Sequence, residues 1–160
     1  MKKYLPDFIF GSIDGLVTTF AVVSGVIGAS LSPAVILILG FANLFADGFS
    51  MAASNYLSSK SEEDLGHNSA EKKPITAAFI TFVSFVVIGF VPLFSFIVPT
   101  GIDTFLMSCI LTGLAFIFVG YVKGKVTNTN RAWAACATLM IGTVAAVIAY
   151  FVGYFLSNLI

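Results

Sequence analysis

The chain has 160 residues, 58% of them hydrophobic and only 10% charged, with zero formal net charge and a mean hydropathy of +1.00. That balance lies outside the range of soluble domains and points to lipid as the solvent. The few charges are segregated into short segments, so no basic face exists to follow a nucleic-acid backbone, which argues against nucleic-acid binding.

Met1 to Lys3 precede an apolar run from Phe8 to Ala29. A basic start before an apolar run is the outline of a secretory signal. This run, however, is longer than the ~7–15 residues of a signal core, contains Asp14 and feeds directly into a second span, so it reads as a first helix. Asp7 stands where it can cap that helix, since acids favour helix N-termini, or face its entrance. Further apolar runs extend from Ala34 to Leu57, Ile75 to Val98, Ile102 to Val122 and Trp133 to Leu156. Each is close to the ~20 residues that cross a ~30 Å hydrocarbon layer. A barrel would need alternating strands of roughly 10 residues, and none is present. The expectation is an all-α membrane protein, residues 1–160 forming one domain of five transmembrane helices.

All eight Lys and Arg fall between or before those runs, at Lys2 and Lys3, at Lys60, Lys72 and Lys73, and at Lys123, Lys125 and Arg131. Cationic loops are retained in the cytoplasm, and one orientation places all three groups there. It puts the N-terminus in the cytoplasm and the C-terminus on the opposite side, with a short cytoplasmic loop over residues 58–74. The outer connections, Ser30 to Pro33 and Pro99 to Asp103, carry no cation. Cys109 and Cys136 lie inside spans and read as packing residues. Pro92 in the third span and Gly113, Gly120, Gly142 and Gly153 in the last two read as kinks and close packing. Tyr121 and Trp133 flank the inner interface, and Tyr150 and Tyr154 approach the outer one.

Two ionisable residues lie deep in the spans, Asp14 in the first and Asp47 in the second. A carboxylate near mid-membrane costs roughly 2.5–3.5 kcal/mol on insertion scales, so it faces a cavity or a partner. No Lys or Arg lies within the spans near them, which leaves a proton, water or a metal cation. At 1.5 Å per residue Asp14 is ~10 Å and Asp47 ~15 Å from the cytoplasmic ends of their helices, depths that allow a shared passage.

Asn43, Asp47, Met51 and Asn55 recur every four residues and form one slowly drifting stripe. Carboxylate and amide oxygens with a thioether favour iron or manganese over calcium or magnesium. The competing reading is a polar seam that holds helices together, with Met51 as filler. Gly11 and Gly15 bracket Asp14 at small-xxx-small spacing, which packs helices within one chain or across a dimer. Glu62, Glu63 and Asp64 are candidates for a cytoplasmic entrance, against the reading of a solvated loop balanced by Lys60, Lys72 and Lys73. His67 reads as a surface histidine.

The stretch Phe10-Gly11-Ser12-Ile13-Asp14-Gly15-Leu16-Val17, with Phe20 and Gly25, resembles the first helix of the vacuolar iron transporter family, which includes nodulin-like plant members. Gly40-Phe41-Ala42-Asn43, Ser50-Met51 and Tyr56-Leu57-Ser58 resemble its second helix. Pro74 with Ala77 and Ala78, Pro92-Leu93, Gly124-Lys125, Gly142, Tyr150 and Gly153 extend the likeness along nearly the whole chain. The resemblance implies a five-helix homodimer that exports ferrous iron or related divalent ions from the cytoplasm in exchange for protons, along a path at the dimer interface. Asp14 matches the family's first-helix pathway aspartate and Met51 its second-helix pathway methionine. Asn43 and Asn55 stand where second-helix glutamates are usual, and Asp47 where a small residue is usual. The long metal-binding insert of larger members is replaced by Ser58 to Pro74, so the nodulin-like members are the nearer pattern.

The function expected is therefore divalent metal transport, of ferrous iron or manganese, by proton antiport. Asp14, Asp47, Met51, Asn43 and Asn55 would form the path, with no permanently bound cofactor. The partners are the bilayer, the metal, protons and a second copy of the chain. A cell membrane in a prokaryote or a vacuolar membrane in a eukaryote both fit. The alternative is a non-transporting assembly or metal-sensing subunit. An intramembrane enzyme would need a nucleophile and base, or a histidine pair with glutamate, inside the spans; the single histidine is His67, in a loop.

Overall fold

The computed structural model describes residues 2–65, 72–98, 101 and 103–160. His67 and most of the Pro99 to Asp103 connection lie outside the described residues. Among the described residues, a short 3-10 turn is followed by six α-helices: α1 (Leu5–Gly28), α2 (Pro33–Asp64), α3 (Pro74–Gly89), α4 (Val91–Ile97), α5 (Thr104–Val126) and α6 (Arg131–Ser157). Among the described residues α1, α2, α5 and α6 are long and apolar enough to cross a membrane, and α3 with α4 makes a fifth crossing if the bent pair is one span. The architecture is that of an all-α, multi-pass membrane protein.

The kink read from Pro92 is present: the third span is broken at Phe90 with a 42° bend. Pro92 has no N–H to give the Ile88 carbonyl one turn back, and its ring crowds that turn. Ser108 of α5 donates to the Pro92 carbonyl at 2.7 Å and ties the bend to the next helix.

The second helix departs from its expected bounds. Its 32 residues span ~48 Å, well beyond the hydrocarbon layer, because residues 58–64, expected in a loop, continue the helix. Lys60 supports this polar extension through ion pairs to Glu63 at 3.1 Å and Asp64 at 3.2 Å. Hydrogen bonds from the Lys60 ammonium, first to Glu63 and then to Asp64, raise its pKa above the ordinary lysine value.

The first helix is the centre of the bundle, packed against α3 on one side and α6 on the other, with α2 to its flank. Leu16 and Val23 of α1 meet Ile36, Leu44, Phe85, Leu93, Phe116 and Val119 in the core. On the α3 side, a Cβ at Gly11 would overlap the Ser84 hydroxyl and the Thr81 carbonyl, and one at Gly15 would overlap the Phe85 carbonyl. The small-xxx-small face is therefore used within the chain.

The α1–α2 turn ends α1 with Ser30 at φ 55°, its neighbour Leu31 donating to the Val26 carbonyl at 3.1 Å. The α5–α6 turn repeats this with Asn128 at φ 53° and Thr129 donating to Gly124. Both are Schellman endings made without glycine.

Replacing Gly15 by valine forces α1 from α3 against backbone, which has no rotamer to yield. We expect Gly15→Val to cost at least ~3 kcal/mol in equilibrium unfolding in mixed micelles.

Candidate metal centre

Residues Asp7 and Asp14 are two turns apart on α1, so they lie nearly in line, ~10 Å from one another. The second helix runs antiparallel beside them, and its four-residue stripe meets that line in register. Asn55 donates to Asp7 at 3.0 Å. One turn along, Met51 and Phe10 line the same cavity. Another turn along stand Asp47 on α2 and Asp14 on α1. Both are half-buried. The stripe read from the sequence thus faces α1 over this length, and the three steps 55, 51 and 47 answer 7, 10 and 14.

Two cavities of about 460 Å³ each flank Phe10. One is lined by Asp7, Met51 and Asn55 with the hydroxyls of Ser50, Ser54 and Ser58. The other is lined by Asp14 with Ile13, Val17 and Thr127, and also by Lys123 from the last turn of α5. The expectation that no cation lies near these carboxylates is thereby modified: Lys123 borders the Asp14 cavity. Among the described residues the ion pairs are Lys60 with Glu63 and Asp64, and Lys72 with Asp7; Asp14 and Asp47 have none.

Asp7, read from the sequence as a helix cap or as facing the entrance, lines the first of these cavities. It lies in the first turn of α1, but its hydrogen bonds go elsewhere. The Lys72 ammonium sits 2.8 Å from its Oδ1. The Asn55 amide, which donates to the same oxygen, also donates to Thr81 Oγ1 at 2.6 Å. Thr81 in turn donates to the Ala77 carbonyl, and Ser59 donates to Asn55 Oδ1. This network joins the start of α1, the inner part of α2 and the start of α3.

The remaining candidates are placed less centrally. Asn43 is half-buried, with its amide nitrogen buried and without a partner. Glu62, Glu63 and Asp64 are exposed on the last turns of α2 and line neither cavity, their charge balanced in part by Lys60. Cys109 lines a separate apolar cavity of about 330 Å³ between α1, α5 and α6, and Cys136 is exposed on α6. Among the described residues no three His, Cys, Asp or Glu side chains gather at one point.

The profile of the VIT family matches residues 5–72 and 63–154 of the chain. The chain belongs to that family. It is 26% identical to the vacuolar iron transporter of Toxoplasma gondii over 95% of its own length and 74% of that protein. It is 25% identical to vacuolar iron transporter 1 of Arabidopsis thaliana over 90% of its length and 82% of that protein. A shorter match, 49% identical, joins 39% of the chain to 23% of the vacuolar iron transporter of Plasmodium berghei. The Toxoplasma alignment runs over 223 residues, more than this VIT member possesses, so that relative carries residues lacking here. The family match breaks into two parts at residues 63–72, where α2 ends. The VIT family is a transporter family, consistent with the expectation that the chain is not an enzyme.

Because Asn55 donates to a buried carboxylate, Asn55→Leu removes a charge-assisted hydrogen bond and leaves Thr81 short of a donor. The expected loss is about 2–3 kcal/mol of unfolding free energy. It should be accompanied by faster hydrogen exchange at the start of α1 and α3.

Proposed function

We propose that the chain is a secondary transporter that moves ferrous iron, or manganese, out of the cytoplasm in exchange for protons. The observation that carries this reading is the pair Asp14 and Asp47. They are two half-buried carboxylates on adjacent spans, one turn beyond the Met51 and Phe10 step, with no ion-pair partner among the described residues. Such a pair gains from any cation placed between its members, and a divalent metal or protons fill that role alternately. Membership of the VIT family supports the metal, and the names of its relatives support iron.

Met51 lies one turn from Asp47 on the same face and offers a thioether that suits ferrous iron better than magnesium or calcium. We place it beside the path, between the carboxylates of Asp7 and Asp14. Asp47 takes over, one turn along, the acidic role that glutamates at positions 43 and 55 would play under the family resemblance. Asn55 is engaged with Asp7, and a glutamate there would set a second negative charge against that carboxylate.

Two acids are few for a divalent ion that prefers four to six ligands. A second copy of the chain, presenting the same face of α1 and α2 across a two-fold axis, doubles them. We therefore propose a homodimer with the path between copies, the N-terminus and the 58–74 segment in the cytoplasm, and the C-terminus opposite. The segregation of all eight cations supports that orientation.

Anaerobic proteoliposomes with the cytoplasmic face outward test the proposal. Ferrous or manganous ion should enter saturably, and faster when the lumen is acid, because each inward metal is exchanged for outward protons. Flux that ignores the gradient would mean a uniporter. Asp14→Asn should lower the rate at least about tenfold with the protein still folded. For Asp47→Ala we expect a comparable loss together with an altered pH dependence; unchanged uptake and pH dependence would remove Asp47 from the path.

A further inference from the structure

A second cation already sits at the inner end of the seam, and it is part of the protein. Lys72 lies two residues before α3, with its ammonium 2.8 Å from Asp7 Oδ1. The Asp7 side chain is 6% exposed and that of Lys72 28%, so the pair bridges a buried carboxylate and an accessible amine. Asp7 also lines the cavity that holds Met51 and Asn55, and its second oxygen, Oδ2, is buried without a protein partner. Helix α2 fixes the carboxylate through Asn55, and α3 fixes Asn55 through Thr81. The carboxylate is therefore held by groups that do not depend on Lys72, while among the described residues the ion-pair partner of Lys72 is that carboxylate.

We propose that Lys72 is a tethered counter-cation that occupies the carboxylate at the mouth of the path and yields it only to a divalent ion. This deepens the transport reading above and rests on it. An ammonium is a compact point charge on a flexible four-carbon stem, so it leaves without moving a helix. A monovalent ion arriving at Asp7 brings no more charge than the amine it displaces and gains nothing from the exchange. A divalent ion brings twice the charge, approaches oxygen more closely, and finds Oδ2, the Met51 thioether and the serine hydroxyls beside it. The lysine thus sets a threshold that favours divalent over monovalent cations. It also keeps a buried carboxylate neutralised between transport events, which burial demands.

The test is a charge series at position 72, read with manganous ion so that no oxidation intervenes. Lys72→Met removes the competing charge, and the Mn(II) concentration at half-maximal uptake should fall by about three- to tenfold, with sodium or potassium becoming competitive inhibitors. Lys72→Arg replaces a point charge with a two-pronged donor that grips the carboxylate more firmly, so the half-saturation concentration should rise. A merely structural lysine gives no such opposite shifts, because loss of stability does not tighten metal binding. If Lys72→Met does not fold, Lys72→Arg alone decides by the sign of its shift. The inference is overturned if wild type transports Mn(II) but half-saturation is unchanged in the foldable variants, or moves the other way. Wild type that neither transports Mn(II) nor is thermally stabilised by it would overturn the transport reading itself.

Discussion

Backbone meets backbone where α1 crosses α3, and this approach sets the positions of the other elements. Gly11 and Gly15 let the first helix lie directly on the Thr81 and Phe85 carbonyls, while Gly89 lies on the carbonyl of Gly15. With no hydrophobic drive between helices in lipid, close van der Waals contact and interhelical hydrogen bonds are what remain to hold a bundle together. Once that face of α1 is committed to α3, the rotation of α1 is fixed. Asp7, Phe10 and Asp14 are then turned toward α2 and the two cavities. That line on α1 is positioned by the glycines next to it in sequence.

Much of this was legible in the sequence because lipid imposes lengths. A crossing needs about twenty apolar residues, so spans can be counted, and Pro92 marks the bend in the third. The stripe on α2 was legible for a similar reason, since a four-residue repeat keeps one face of a helix. The extension of α2 was not. Residues 58–64 have no apolar pattern to betray a helix, and they stay helical because no Gly or Pro interrupts them before Gly66 and because Lys60 pairs with Glu63 and Asp64 one turn on.

The pairing of Asp7 with Lys72 was hidden for another reason. The two residues are 65 positions apart, and nothing local to either signals the other. Asn55 was found by its spacing, but its task was not, because the spacing cannot say that its amide would be held between an aspartate on α1 and a threonine on α3. Polar side chains in such a seam serve in two ways that sequence alone does not separate. Some, such as Asn55, hold their neighbours in position. Others, such as Asp14 and Asp47, are left with charge to spare.

The glycine contacts also divide the bundle into stiff and compliant joints. Those of α1 press on carbonyls, at Thr81 and Phe85 of α3 and at Tyr150 of α6, and main chain cannot step aside. Those of α2 press on side chains instead, Gly40 on Leu93 and Gly48 on Phe82, Phe85 and Val86, which can change rotamer. In mechanical terms the joints of α1 are stiff and those of α2 yield more readily. Asp14 stands on the helix with the stiff joints and Asp47 on the one with the yielding joints, so a tilt of α2 would alter the gap between the two carboxylates and with it the charge that gap could hold.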